Sequence, residues 1–360
     1  MSPSHTLRRR VLTLACAGAL LAACDSATAT SSPTTEATTT AEPTTVATAS
    51  PTTVRATTTT TEPATTTTEP PQPVYPLTGL PATDPFIAAR PAVVVKVGNY
   101  DAHPQQGTNH ADIVYEEIIN DHVSRFAMVF HSQATQGVGP IRSGRLQDVN
   151  LLGSLNRAIL AWSGGNGTVT NAINDSDLIN LSPSYCKGSC YRSDRDRAPY
   201  NLFFDIDRVW AMNVPDTGTP PQQFQYRKEG EAVNGLPSAG VVVEMDSYTI
   251  EWTWNPTTGL YERNQNGRPD KDSNGELVTT DNVVVLVMHY AQGISGSPDA
   301  QSVGSGEAFV FTGGGAMHGT WTRFDRLAPF TLLDDDGNPM LLTPGRTFVE
   351  LPREGDTAPK

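Results

Sequence analysis

Ile113-Val-Tyr-Glu-Glu-Ile-Ile-Asn-Asp-His-Val-Ser-Arg-Phe-Ala-Met-Val-Phe130 holds two β-rich runs, Ile113–Ile119 and Val123–Phe130, separated by Asn120-Asp121-His122. Branched and aromatic residues on either side of a short polar break predict a β-hairpin. A two-residue turn at Asn120-Asp121 would set Glu116 opposite Arg125, and a three-residue loop would set Glu117 there instead. In either register a carboxylate and a guanidinium face each other across two strands. Such a pair is either a structural ion pair or a Glu held ready as a base or ligand contact. Upstream, Ala92-Val-Val-Val-Lys-Val97 has the continuous apolar character of a buried strand.

Downstream the period changes. Leu146, Val149, Leu152 and Leu155 recur at helical spacing, with Ser143 placed to cap the helix. Ala158–Trp162 predicts another strand, followed by Ser163-Gly-Gly-Asn-Gly-Thr168 and a further helix. Alternating strands and helices over 74–235 predict a mixed α/β N-terminal domain. After Pro215–Pro221 and Gly235-Leu-Pro237 the pattern becomes short strands divided by turn residues such as Asn255-Pro-Thr-Thr-Gly259. Residues 236–352 are thus expected to form a mostly antiparallel β domain, with 353–360 as a tail, and the overall class is α+β.

The N-terminus carries an address. Arg8-Arg9-Arg10 precedes an apolar stretch, Val11–Leu20, too short to span a bilayer, and Leu21-Ala-Ala-Cys24 matches a lipobox. Residues 1–23 are therefore expected to be a signal peptide, and Cys24 the lipidated residue (acylated, for example with palmitate). Residues 24–73 are nearly all Thr, Ala, Pro, Ser and Glu, a composition too poor in apolar residues to fold, and are expected to be a disordered tether. The expected location is the cell membrane, lipid-anchored on the extracytoplasmic face. Whether export is general or twin-arginine stays open. The 360-residue chain has a formal net charge of -13, which repels phosphate backbones and disfavours nucleic acid as a partner. With Cys16 in the signal and Cys24 lipidated, Cys186 and Cys190 are left to form a disulfide that pins a local turn.

An ordered series of motifs follows the tether. Pro76-Leu-Thr-Gly79, Arg90-Pro91, Asn99 with Pro104-Gln105 and Gly107, Ala111-Asp112-Ile-Val-Tyr-Glu116, Arg125-Phe126, Gly139-Pro-Ile-Arg-Ser-Gly-Arg145 and Ala198-Pro-Tyr-Asn201 lead to Tyr261-Glu-Arg263, Asp281-Asn-Val-Val284, Gly319-Thr-Trp321 and Pro344-Gly-Arg346. Over nearly all of 75–352 the chain resembles the YerB-like lipoproteins, which have two domains of unknown function. The resemblance implies an envelope-anchored, two-domain protein and implies no reaction. One departure is Asn120, where the family usually has an acid near the hairpin turn.

The polar residues of these motifs supply a candidate ligand site: Asn99, Gln105, Asp112, Glu116, Arg125, Arg142, Ser143 and Arg145. Arg142 and Arg145, three residues apart at an expected helix start, would present two planar forks suited to phosphate or carboxylate. The Gly164-Gly165-Asn166-Gly167 loop is either a second anion cradle or simply a tight strand-to-helix turn. Asp270, Asp272, Asn274 and Asp281 track calcium-loop spacing and make calcium the one cofactor candidate, although ordinary hairpin chemistry accounts for the same residues. No H-E-x-x-H or G-x-S-x-G motif occurs. The expected function is binding of an anionic cell-wall component or an envelope protein partner. A wall-modifying hydrolase or transferase using Glu116 as acid/base is the alternative. Mass spectrometry of the native protein is expected to find residues 1–23 removed and a diacylglyceryl adduct on Cys24; an intact leader with a bare thiol would refute the anchor.

Overall fold

Val-rich Val93–Gly98 (β1) is buried at every position, as are Ile113–Ile118 (β2) and Ser124–Phe130 (β3). The computed structural model describes residues 73–100, 104–228 and 230–360, so the leader, Cys24 and the tether through residue 72 lie outside the described residues. Glu117 lies opposite Arg125 and Ile118 opposite Ser124. The Ile119 N–H donates to the Val123 carbonyl at 2.9 Å. The hairpin therefore closes through the three residues Asn120-Asp121-His122, with Asp121 and His122 in the left-handed region (φ 63° and 58°) that short polar side chains tolerate.

Ile159–Ala161 (β4) and Ile179–Leu181 (β5) run parallel to β1. The large sheet runs from Thr331–Asp334 through Gly315–Arg323, Gly304–Thr312, Asn282–Leu286 and Thr347–Leu351 to β2, β3, β1, β4 and β5. Asn282–Leu286, Thr347–Leu351, β2, β1, β4 and β5 all point the same way. Their carboxyl ends consequently share one edge of the sheet. A second, antiparallel sheet is built on Gly240–Met245, Tyr248–Asn255 and Leu260–Gln265. Its alternating burial turns Ile250, Trp252 and Tyr261 onto one face of the large sheet, where Trp252 meets Phe348 at 4.8 Å between ring centroids. After a first short helix, Pro85–Ala89 (α1), come Gln147–Leu151 (α2) and Gly167–Asn174 (α3), which lie on the other face and contribute Leu151, Val169 and Ile173 to a second core.

Three expectations change. The segments expected as two domains, 74–235 and 236–352, share one sheet: β2 pairs in parallel with Thr347–Leu351, which covers an edge that would otherwise be open. The expected tail, 353–360, supplies Thr357–Pro359 as a strand on Gly240–Met245. The helix expected from Leu146 to Leu155 is only α2 and a following 3₁₀ turn, Gly153–Leu155, and Ser143 does not cap it; the Asp148 carboxylate instead receives the Arg145 N–H at 2.7 Å. Among the described residues helices are short, and the chain is mostly β. The Cys186–Cys190 disulfide is present and closes a local turn.

Strand alternation sends Glu116 and Glu117 to opposite faces. Glu116 points at the second sheet and accepts from Arg263 Nη2 at 2.6 Å, and the same guanidinium bonds Asp270. Burial works against the Arg263 charge, but Glu116, Asp270 and Glu350 outweigh it and raise its pKa. Glu117 points at the helices, where Lys96 bonds both Glu117 and, at 2.9 Å, Asp148. Burial, and next the Asp148 charge, push Glu117 up to about 7.

Two outcomes follow from these buried clusters. Arg263→Met leaves the Glu116 carboxylate enclosed without its cation and should cost about 3–5 kcal/mol in chemical denaturation; a loss under 1 kcal/mol would refute its role. For Glu117 the folded-state value lies above the ordinary 4.5. Its contribution is therefore fully present below about 4.5 and lost as pH rises through about 7. Glu117→Gln should gain on the wild type by on the order of 1–3 kcal/mol between pH 4.5 and 8; parallel stability profiles for the two proteins would contradict this.

Candidate functional site

The eight candidate residues divide between three places. Asn99, Gln105 and Glu116 belong to the lattice between the two sheets. Asn99 Nδ2 donates to Glu116 at 2.9 Å and Gln265 at 2.8 Å, and Gln105 donates to Asn99 at 3.1 Å. Ser124 Oγ also bonds Glu116. Both Glu116 oxygens are thus engaged, and the residue is fully buried. Beside it in register stands Glu350, whose carboxyl is held well above the ordinary range by burial and then by the Glu116 charge. Trp252 Nε1 donates to Glu350 at 2.8 Å.

Asp112 is elsewhere. It accepts from the backbone N–H groups of His131 and Ser132 and from the Ser132 hydroxyl, which ties the end of β3 to the start of β2. Burial pushes its carboxyl up to about 6 against those hydrogen bonds. The calcium candidates do not converge. Asp270 bonds Arg263; Asp272 accepts from Asn274 N at 2.8 Å and Glu276 N at 2.9 Å; Asp281 accepts from Arg346 N at 2.9 Å. The Asp272 bonds are turn bonds within the loop between Arg268–Pro269 and Thr279–Thr280, while Asp270 and Asp281 are bonded outside it, to Arg263 and Arg346. Among the described residues no three His, Cys, Asp or Glu side chains are grouped to hold a metal.

Arg125, Arg142, Ser143 and Arg145 do come together, at the carboxyl ends of the parallel strands. The 140–145 segment crosses that edge: Gly98 N donates to Pro140 O at 3.1 Å, Arg142 N to Lys96 O at 2.8 Å, and Ser163 N to Arg142 O at 3.0 Å. Arg125, opposite Gly98 in β1, donates from Nη1 to Ser143 O at 2.5 Å. It is 4% exposed, and its Nε has no partner among the described residues. Burial, then repulsion from Arg145, lower its pKa to about 10.

Arg142 lies 4.8 Å from the Tyr200 ring centroid and 5.6 Å from that of Tyr100. Gly98 permits this, because a Cβ there would come within 2.8 Å of Tyr100 and 2.9 Å of Arg142. Arg145 donates from Nε to Asn120 Oδ1 at 3.1 Å. None of the three arginines makes an ion pair with a described residue, whereas Arg208, Arg263, Arg326, Arg346 and Arg353 all do.

Arg145 lines a cleft of about 340 Å³ that also includes Ser143, the Gly164–Asn166 turn, Ser297 and Asp299. Asn166 caps α3 by accepting the Val169 N–H at 2.9 Å. The anion corner expected at a helix start is therefore built differently. Arg142 and Arg145 precede a helix of only five residues, and the adjoining helix terminus belongs to α3. Sequence reasoning missed Tyr100, Tyr200, Ser297 and Asp299, which no local spacing ties to the arginines. It also missed Lys96, although a charge inside a continuous apolar run was a usable signal.

The family model for the protein of unknown function DUF3048, N-terminal domain, matches residues 77–219, and that for its C-terminal domain matches 241–349. The chain is 25% identical over 297 residues to the Bacillus subtilis (strain 168) protein named "Putative lipoprotein YerB", covering 79% of this chain and 87% of the relative. The crystal structure of YerB protein from Bacillus subtilis has the same fold, with a TM-score of 0.71 at 22% identity over 80% of this chain and 100% of that one. Among the described residues no helix is long and apolar enough to cross a membrane. With both family segments matched in order and joined in one sheet, the chain belongs to the DUF3048 family of YerB-like proteins.

Proposed function

We propose that this is a lipid-anchored extracytoplasmic binding protein that holds an anionic cell-envelope component at Arg125, Arg142 and Arg145. The carrying observation is three neighbouring guanidinium groups with no carboxylate partner among the described residues, in a chain of net charge -13. A desolvated cation beside two like charges is costly, and an incoming phosphate or carboxylate relieves that cost. Guanidinium forks match such groups in a bidentate geometry. Asn120 adds to the effect: it holds Arg145 by an amide oxygen without neutralising it, where an acid would have formed an ion pair. The lipobox at Cys24 and the name of the Bacillus relative support the anchor and the envelope setting. The alternative, catalysis by Glu116, has less support, because that carboxylate is enclosed and bonded through both oxygens.

The double variant Arg142→Gln/Arg145→Gln should bind purified wall fragments and inorganic phosphate at least about tenfold more weakly, since one charge-assisted bond contributes roughly 1.5–3 kcal/mol. Its melting temperature should stay within a few degrees of wild type, because both side chains lie at the sheet edge. Undiminished retention of wall fragments by the folded variant would remove the anion site.

A further inference from the structure

We infer that the ligand held at Arg145 also carries an amine, so that the cleft takes a zwitterion of amino-acid or short-peptide size. This rests on the anion site proposed above and adds its second half. Arg145 and Asp299 line the same cleft, although they come from distant parts of the chain. Asp299 accepts the Gln301 side-chain amide at 3.0 Å and forms no ion pair with a described residue. Its carboxyl is already raised by burial, opposed only by that amide. A ligand closing over the cleft would desolvate Asp299 further, and a neutral group offers less compensation for that than a cation does. A ligand that is only an anion would bring a like charge toward Asp299, which selects against it.

The rest of the lining fits a small polar occupant. Ser297 is 9% exposed, and its Oγ has no hydrogen-bond partner among the described residues. Gly164 and Gly165 leave the wall of the cleft without side chains beside the N-terminus of α3, where partial positive charge reinforces Arg145 at the anionic end. The volume of about 340 Å³ lies at the lower end of the range for small-molecule sites, roughly 300–1,000 Å³. The chemistry is thus one guanidinium for a carboxylate or phosphate, one carboxylate for an ammonium, and a hydroxyl donor between chain segments that only the fold brings together.

The test is calorimetric titration of the full chain in detergent with alanyl-alanine in both enantiomeric forms, N-acetyl-alanyl-alanine and inorganic phosphate. At least one free dipeptide should bind ten times or more tighter than its N-acetyl form. Asp299→Asn should bring the two within about twofold, and Arg145→Gln should abolish both. Equal binding of free and acetylated dipeptide, no dipeptide binding where phosphate binds, or an unchanged ratio in Asp299→Asn would overturn the zwitterion. If those results came with phosphate binding that Arg145→Gln removes, the anion site would stand alone. Phosphate binding indifferent to Arg145→Gln would sink both.

Discussion

The contact on which the architecture depends is Arg263 reaching from the small sheet into the large one to meet Glu116. The guanidinium is enclosed beside Phe126, Trp252 and Phe348 and bonded to Glu116 and Asp270. An enclosed charge of this kind gives little net stability compared with an apolar core of the same volume, but breaking it is costly. Its effect is selective. Glu116 must face the small sheet, so Glu117 must face the helices, where Lys96 and Asp148 receive it. A one-residue slip of β2 would put Ile118 in the place of Glu117, leaving Lys96 with Asp148 alone, or Tyr115 in the place of Glu116, taking that carboxylate from Arg263. The central register is thereby fixed by charge as well as by apolar alternation.

From that register the site edge follows. β2 pairs with Thr347–Leu351 on one side and β3 on the other, and the six co-directed strands end on a common edge. The first residues of β3, the turn at Asn120, the 140–145 crossing and the loop after β4 all meet there. The contrast between two kinds of arginine is instructive. Arg263, between the sheets, is ion-paired with Glu116 and Asp270; Arg125, nearly as buried and opposite Glu117 in register, makes no ion pair with a described residue and donates to the Ser143 carbonyl, with Arg145, Tyr100 and Arg142 acting on its charge. In open sheets with co-directed strands, the crevice at their carboxyl ends is a usual place for a ligand.

The sequence alone determined several things. The hairpin at 113–130, the buried strand at 92–97, the strand–turn–helix around Gly164 and the disulfide were legible because each depends on neighbours within a few residues. The arginine block was legible from residue chemistry and from resemblance to the family. Asn120 stood out as a departure before its bond to Arg145 was known. Spacing alone says less at the Asp-rich loop at 270–281, which has calcium spacing while its carboxylates bond Arg263, the loop backbone and Arg346.

Only the tertiary structure decided the rest. Two segments that read as successive domains share one sheet, because parallel pairing needs a long crossover and sets no upper limit on the separation of its strands along the chain. That Glu116 is enclosed and ion-paired depends on Arg263, 147 residues away. The meeting of Arg145 with Asp299 across one cleft follows from the same long-range pairing. Local propensity sets which strands form; the burial of charges that must find partners sets which strands lie side by side, and no window of sequence contains both partners.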